Sequence, residues 1–297
     1  MGTDELVTAR PGQISASYFS LWLAAVGFLF LGLGNILAVV GSESYPSQLS
    51  WVFQAVGPVL IAGAVAFQAR RLSSRVGKPA VYFLVIGLLM LGLCCLHLSA
   101  TNELWLEKWW SNVAQGIWAI GLFSLSFSLI AIASHKQGQV QLVLDSQPTS
   151  TGAPKSRVTV EASFLALFSG ATGYLLYAVG YVQNLEVHGG TRWSWTLQVS
   201  GCALLAVALY LHRKKLARQI GAPALWFAIA GALILALSSI PFVLDPQHYV
   251  NSTFWGQSFW TVWGAGALCP SVSALLVIQR KQKLGRQVTA QLLERSI

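Results

Sequence analysis

Charge is what this 297-residue chain has least of: Lys, Arg, Asp and Glu together make up 10% of it. Soluble domains carry about 25%, so a soluble globular fold is excluded at the outset. Disorder is excluded as well, because it needs low hydrophobicity and high charge, and 55% of this chain is hydrophobic. Only four cysteines occur, two of them adjacent at Cys94 and Cys95, so there is no disulfide framework. Missing too are a Gly-rich phosphate loop, an HExxH helix and a G-x-S-x-G elbow. No Asp, Glu, Lys, Arg or His falls in the middle of any apolar run, which removes the usual mark of a proton relay or ion path. These absences lean against an enzyme, and the sequence leaves any cofactor unknown, implying none and marking no metal ligands.

What is present is eight apolar runs, each near the roughly 20 residues needed to cross a bilayer core. They cover Tyr18–Val40, Trp51–Gln68, Pro79–Leu98, Trp109–Ser134, Ala162–Val182, Trp195–Leu211, Pro223–Leu244 and Phe254–Ile278. A transmembrane β-barrel would show shorter alternating segments instead. The expectation is an all-α integral membrane protein with eight transmembrane helices.

Cations set the expected orientation. Arg70, Arg71, Arg75 and Lys78 follow the second run, Arg213, Lys214, Lys215 and Arg218 follow the sixth, and Arg280, Lys281, Lys283 and Arg286 open the tail. With eight crossings these share one side with both termini, which are therefore expected to be cytoplasmic. The opposite loops hold Lys108 and Arg192 against Glu43, Glu103, Glu107, Glu186 and Asp245, a net charge of −3. The formal +9 of the chain thus becomes +12 on one side. Such a distribution fits topology setting and anionic lipids at the cytoplasmic face of a plasma or bacterial inner membrane. It does not fit nucleic-acid binding, because no groove-reading element accompanies it. The first 16 residues lack the basic n-region of a cleavable signal peptide. Gly2 is not in a myristoylation motif either, because Leu6 stands where Ser or Thr is required.

The halves also resemble each other. Ser50-Trp51-x-x-Gln54-x-x-Gly57 returns as Ser194-Trp195-x-x-Gln198-x-x-Gly201. Pro79-Ala80 returns as Pro223-Ala224, Gly87 as Gly231, Trp118-x-x-Gly121 as Trp263-x-x-Gly266, Gly27 as Gly173 and Gly34 as Gly180. Four spans per unit is an even number, so both units insert the same way. Two tandem parallel four-helix repeats (4+4) are expected, related by an axis along the membrane normal. The first covers 1–136, a polar and flexible cytoplasmic linker 137–160, and the second, with its basic tail, 161–297.

Candidate binding residues follow from this pattern. Trp118 and Trp263 lie roughly 12–14 Å below the outer helix ends at 1.5 Å per residue, too deep for an interfacial belt. Each has a glycine three residues on, so inter-helix packing and a ligand-lining role compete. Trp51 and Trp195, with Gln54 and Gln198, read either as an aromatic belt or as an outer vestibule. Asn35, Asn112, Gln115 and Gln257 are expected to be buried or nearly so, as inter-helix glue or as ligand contacts. Ala224, Ala228, Ala232 and Ala236 form a small-residue stripe that reads as a close helix contact. Pro58, Pro241 and Pro270 should kink or end their helices, and the segment Leu268–Pro270 beneath Trp263 is the favoured place for a cavity. His97, His188 and His248 share the outer side with carboxylates but lack ligand spacing on one helix. Asn251-Ser-Thr253 is a glycosylation acceptor pattern on that side.

The reading this supports is a carrier, permease or receptor for a small neutral or apolar molecule, lipids included, bound between the repeats. The alternative is a non-catalytic accessory or scaffold subunit, with other membrane subunits as partners.

Overall fold

The computed structural model describes residues 16–40, 47–100, 108–146, 155–185, 190–246 and 253–294, and no strand occurs among them. In chain order the helices are α1 (Tyr18–Val40), α2 (Gln48–Phe67), α3 (Ala69–Val76), α4 (Lys78–Ala100), α5 (Lys108–Ser146) and α6 (Lys155–Gln183). They continue as α7 (Arg192–Leu211), α8 (Arg213–Ile220), α9 (Ala222–Ser238), α10 (Ile240–Leu244) and α11 (Thr253–Glu294). Eight helical spans are long and apolar enough to cross a membrane, with α9 and α10 together supplying one of them. The chain has the makeup of a multi-pass α-helical membrane protein.

Local chemistry sets the boundaries. Ser47 caps α2 by accepting from the Ser50 amide, and Thr191 caps α7 in a capping box with Ser194. Both satisfy amides that a helix start leaves free. Short basic helices α3 and α8 each end at a glycine with positive φ, Gly77 at 88° and Gly221 at 98°. That backbone conformation suits glycine and turns the chain into the next span. Pro241 stands in the first turn of α10, just past the break at Ser239, so it does end its helix. Pro58 and Pro270 sit inside unbroken α2 and α11.

Part of the stretch 137–160 is helical. Helix α5 runs on to Ser146 and α6 begins at Lys155, which leaves only 147–154 outside the described residues. At 39 and 42 residues, α5 and α11 reach about 58 and 63 Å at 1.5 Å per residue. Both project well past a 30 Å core at the basic end.

Packing follows chain order and then closes. Among the described residues α1 packs on α2, α2 on α4, α4 on α5, α5 on α6, α6 on α7, α7 on α9, α9 on α11, and α11 returns to α1. Each half is therefore an arc, not a self-contained four-helix bundle. Two seams, α5–α6 and α11–α1, join the arcs.

Glycines make the tightest crossings. A Cβ on Gly57 would stand 2.7 Å from the Gly27 carbonyl oxygen, and one on Gly201 would stand 2.6 Å from that of Gly173. Gly87 meets the Gly121 carbonyl and Gly231 the Gly266 carbonyl, each at 2.8 Å from such an added carbon. In lipid no hydrophobic force drives helices together, so close backbone approach supplies the contact energy. At the seams a serine adds a hydrogen bond: Ser126 Oγ donates to the Ala171 carbonyl at 2.8 Å, and Ser271 Oγ to that of Ala25 at 2.9 Å. The α9–α11 contact also goes through glycine, because Gly231 touches Cys269 and Pro270. The alanine stripe of α9 contributes only its ends, Ala224 and Ala236, as buried residues.

Gly57→Ala and Gly201→Ala should each cost about 1–3 kcal/mol by overpacking, read as a lower thermal midpoint in detergent. Gly116→Ala, where nothing lies within 4 Å of the added carbon, should leave the midpoint unchanged or raise it.

Candidate functional site

Eight helices in a round ring at 8–10 Å spacing would leave a central gap of about 15 Å. Aromatic side chains from non-adjacent helices meet across that space. Trp51 of α2 meets Trp260 of α11 edge-on at 5.9 Å between ring centroids. Trp118 of α5 lies 6.4 Å from Trp263 of α11 and stacks on Tyr181 of α6 at 5.6 Å. Trp195 of α7 stacks on Phe242 of α10 at 4.5 Å and meets Phe259 of α11 at 6.1 Å. Trp118 and Trp260 each pack against two buried clusters, one reaching α2 and the other α7.

Trp118 and Trp263 are therefore neighbours, ten residues into α5 and α11 from the ends opposite the basic face. Trp263 is buried and Trp118 half-buried, with the Trp118 indole N–H lacking a partner among the described residues. Trp51 and Trp195 turn toward the interior, while Trp109 and Trp193, 69% and 74% exposed, face outward as a belt would.

The glutamine pair is buried deeply. Gln54 is 1% and Gln198 2% exposed. Each lies over a glycine of the neighbouring helix, Gln54 on Gly34 and Gln198 on Gly180. Both side-chain amide atoms of Gln54 and the Nε2 of Gln198 lack hydrogen-bond partners among the described residues. Asn35 is fully buried; its Nδ2 donates to the Leu31 carbonyl at 2.7 Å while its Oδ1 stays unpaired. Gln115 Nε2 donates to Ser111 Oγ at 3.2 Å and leaves its Oε1 unpaired. Asn112 is half-buried on the second turn of α5. Gln257 is exposed, contrary to its expected burial, because it lies on a face of α11 turned away from the ring contacts. The segment Leu268–Pro270 is also not an open space: Gly32 of α1 closes on Leu268, and Gly231 of α9 on Cys269 and Pro270.

Residues the sequence pattern did not assign to the interior are Tyr177, Tyr181, Phe259 and Trp260, the last of which reads from sequence as part of the outer aromatic belt. Their signal lay where the sequence similarity between the halves fails. In register, Tyr181 corresponds to Asn35, Trp260 to Gln115 and Phe259 to Ala114. One side of the interior is thus amide-bearing and the other aromatic. Cys94 and Cys95 are packing residues, both buried, with Cys94 Sγ donating to the Ala114 carbonyl at 3.0 Å.

Chemically this layer can stack an apolar or flat group and exchange hydrogen bonds with it. Among the described residues no group of three or more His, Cys, Asp or Glu side chains is placed to hold a metal. His97 packs its ring near Trp110 at 5.6 Å. His188, His248, Glu43, Glu103, Glu107, Glu186 and Asn251 lie outside the described residues. At the opposite end, burial and the nearby Lys136 and Lys215 hold the His212 imidazole below its ordinary pKa. Comparison with family models, curated proteins and solved structures finds no match.

A buried amide left unpaired costs about 1–3 kcal/mol, and its apolar isostere does not bear that cost. Gln54→Met and Gln198→Met should therefore hold or raise the thermal midpoint of the ligand-free protein. A fall of more than about 1 kcal/mol would mean that the amides already have partners.

Proposed function

We propose that the protein is a membrane carrier, permease or receptor that binds one small neutral or apolar molecule inside the helix ring. The observation that carries this is the unpaired Trp118 N–H, flanked by Tyr181 and Trp263 in a layer without charge. An indole N–H away from water wants a partner, and stacked aromatics favour an apolar or flat ligand. The unpaired oxygens of Asn35 and Gln115 add acceptors. A ligand with an apolar body and one or two hydrogen-bonding groups satisfies both sides.

On this reading the two arcs are a tandem duplication, inserted in parallel and related by a pseudo-two-fold axis along the membrane normal. Support comes from contacts repeated in register: Gly27–Gly57 with Gly173–Gly201, Gly87–Gly121 with Gly231–Gly266, and Ser126–Ala171 with Ser271–Ala25. The basic end, where α3, α8 and the ends of α5 and α11 gather, is assigned to the cytoplasm by the excess of cations.

Two experiments test the proposal. Reporters fused within 70–78, within 213–218 and at the C-terminus should all report the cytoplasmic side; a periplasmic or lumenal signal from any of them overturns the orientation. In a thermal-shift screen of neutral and apolar small molecules, a ligand at 100 times its Kd should stabilise by about 2.7 kcal/mol. Trp118→Ala and Trp263→Ala should lose that shift at normal membrane abundance. A ligand whose shift survives both substitutions places the site elsewhere. A screen without any shift, together with co-purification of another subunit, favours the accessory role.

A further inference from the structure

At the basic end a lateral groove of about 310 Å³ opens between the α8–α9 turn and α11. Its apolar wall is Ile220, Pro223, Ala224 and Leu276; its polar rim is Gln279, Arg280 and Lys283. Arg280 is held in place, donating from Nη1 to the Ala217 carbonyl at 3.2 Å and from Nη2 to the Arg218 carbonyl at 2.9 Å. It passes directly over Gly221, where an added Cβ would stand 2.9 Å from Nη1. A guanidinium has five N–H donors, so three remain for a ligand. Lys283 is exposed, and no carboxylate pairs with either cation among the described residues. Arg213, Lys214, Lys215 and Arg218 add positive charge along α8, whose Leu216, Ala217 and Ile220 pack back onto α7 and α9.

We propose that this groove binds one anionic phospholipid, its phosphate on Arg280 and Lys283 and its glycerol and upper acyl chain against Leu276, Pro223 and Ile220. An apolar wall beside an anchored guanidinium and an exposed ammonium matches that chemistry at the headgroup level, and a zwitterionic lipid, with its own cation, brings no net negative charge to them. The corresponding positions of the first arc differ. In register Gly77 replaces Gly221 and Pro79 replaces Pro223, but His135 stands for Arg280 and Gly138 for Lys283. The His135 ring covers Gly77 as Arg280 covers Gly221, so the turn is preserved and the cations are not. The groove therefore distinguishes the two halves, by charge and by the larger Leu276 where the first half has Ala131.

Native mass spectrometry of the full chain, titrated with phosphatidylglycerol or phosphatidylcholine in mild detergent, tests this. One phosphatidylglycerol should be retained in preference to phosphatidylcholine. Lys283→Gln should weaken that retention about fivefold, the weight of one cation at a membrane surface, and Lys283→Glu should weaken it further. Lys283 is exposed and caps nothing, so both variants should fold. His135→Arg combined with Gly138→Lys should add a second retained copy. Equal retention of the two lipids, unchanged retention in the Lys283 variants, no second copy in the double variant, or release by millimolar inorganic phosphate would each overturn the assignment.

Discussion

Glycine-on-glycine crossing is the constraint on which the rest of this structure depends. Within each arc two such crossings, Gly27–Gly57 and Gly87–Gly121 in the first and Gly173–Gly201 and Gly231–Gly266 in the second, bring backbones into direct contact. An added Cβ at these points would meet a carbonyl oxygen of the neighbouring backbone, which cannot swing aside as a side-chain tip would. Helix spacing along each arc is thereby fixed. Fixed spacing within the arcs decides how far α5 stands from α11, and so whether Trp118 and Trp263 reach each other. The aromatic layer follows from the crossings.

That layer answers a problem the ring creates. Eight helices in a closed circuit surround more space than aliphatic side chains fill, and an open gap would forfeit dispersion contacts on every lining atom. Large rings reaching inward from α2, α5, α6, α7 and α11 shorten the distance, and their edge-on and stacked contacts add about 0.5–1.5 kcal/mol each. The same layer holds amide and indole groups without partners, each costing about 1–3 kcal/mol. Packing alone would favour methionine or leucine at Gln54 and Gln198. Retaining amides there is a stability cost with no structural return visible around them, which is why we assign the interior a binding role.

Much of the fold was legible in the sequence because bilayer length and charge exclusion act on composition. All eight apolar runs fall on helical spans, with α5 and α11 running well beyond theirs at the basic end. Side-chain facing was less legible. A span apolar all round gives no polar face to orient it, so Gln257 and Asn112 looked alike although one is exposed and the other half-buried. The helical extensions at 137–146 and 155–160 escaped notice for the opposite reason: their polar composition carries no membrane signal, and they continue α5 and α6 beyond the core. Glycines that marked the repeat register turned out to be the crossing points, so the repeat was informative about packing before it was informative about function. Tyr181 and Trp260 lay hidden because similarity between halves draws attention to what is repeated, whereas the interior is lined where repetition fails.

The failures of repetition all point the same way. Where the α1–α11 seam has Gly32 and Gly264, the α5–α6 seam has the buried Ala178 and Ala119 in register. Two methyl groups take the place of glycine at the second seam, and it is there that Trp118 and Tyr181 stack. Where α6 carries Tyr181, α1 carries Asn35; where α11 carries Trp260, α5 carries Gln115. A symmetric pair of arcs would offer two equivalent half-sites and bind either two ligands or one that is itself symmetric. Here the first arc brings the amides Asn35 and Gln115 where the second brings Tyr181 and Trp260, so each seam pairs an amide with an aromatic ring. On the binding role proposed above, two unlike arcs call for a single unsymmetrical molecule, apolar on one part and hydrogen-bonding on another.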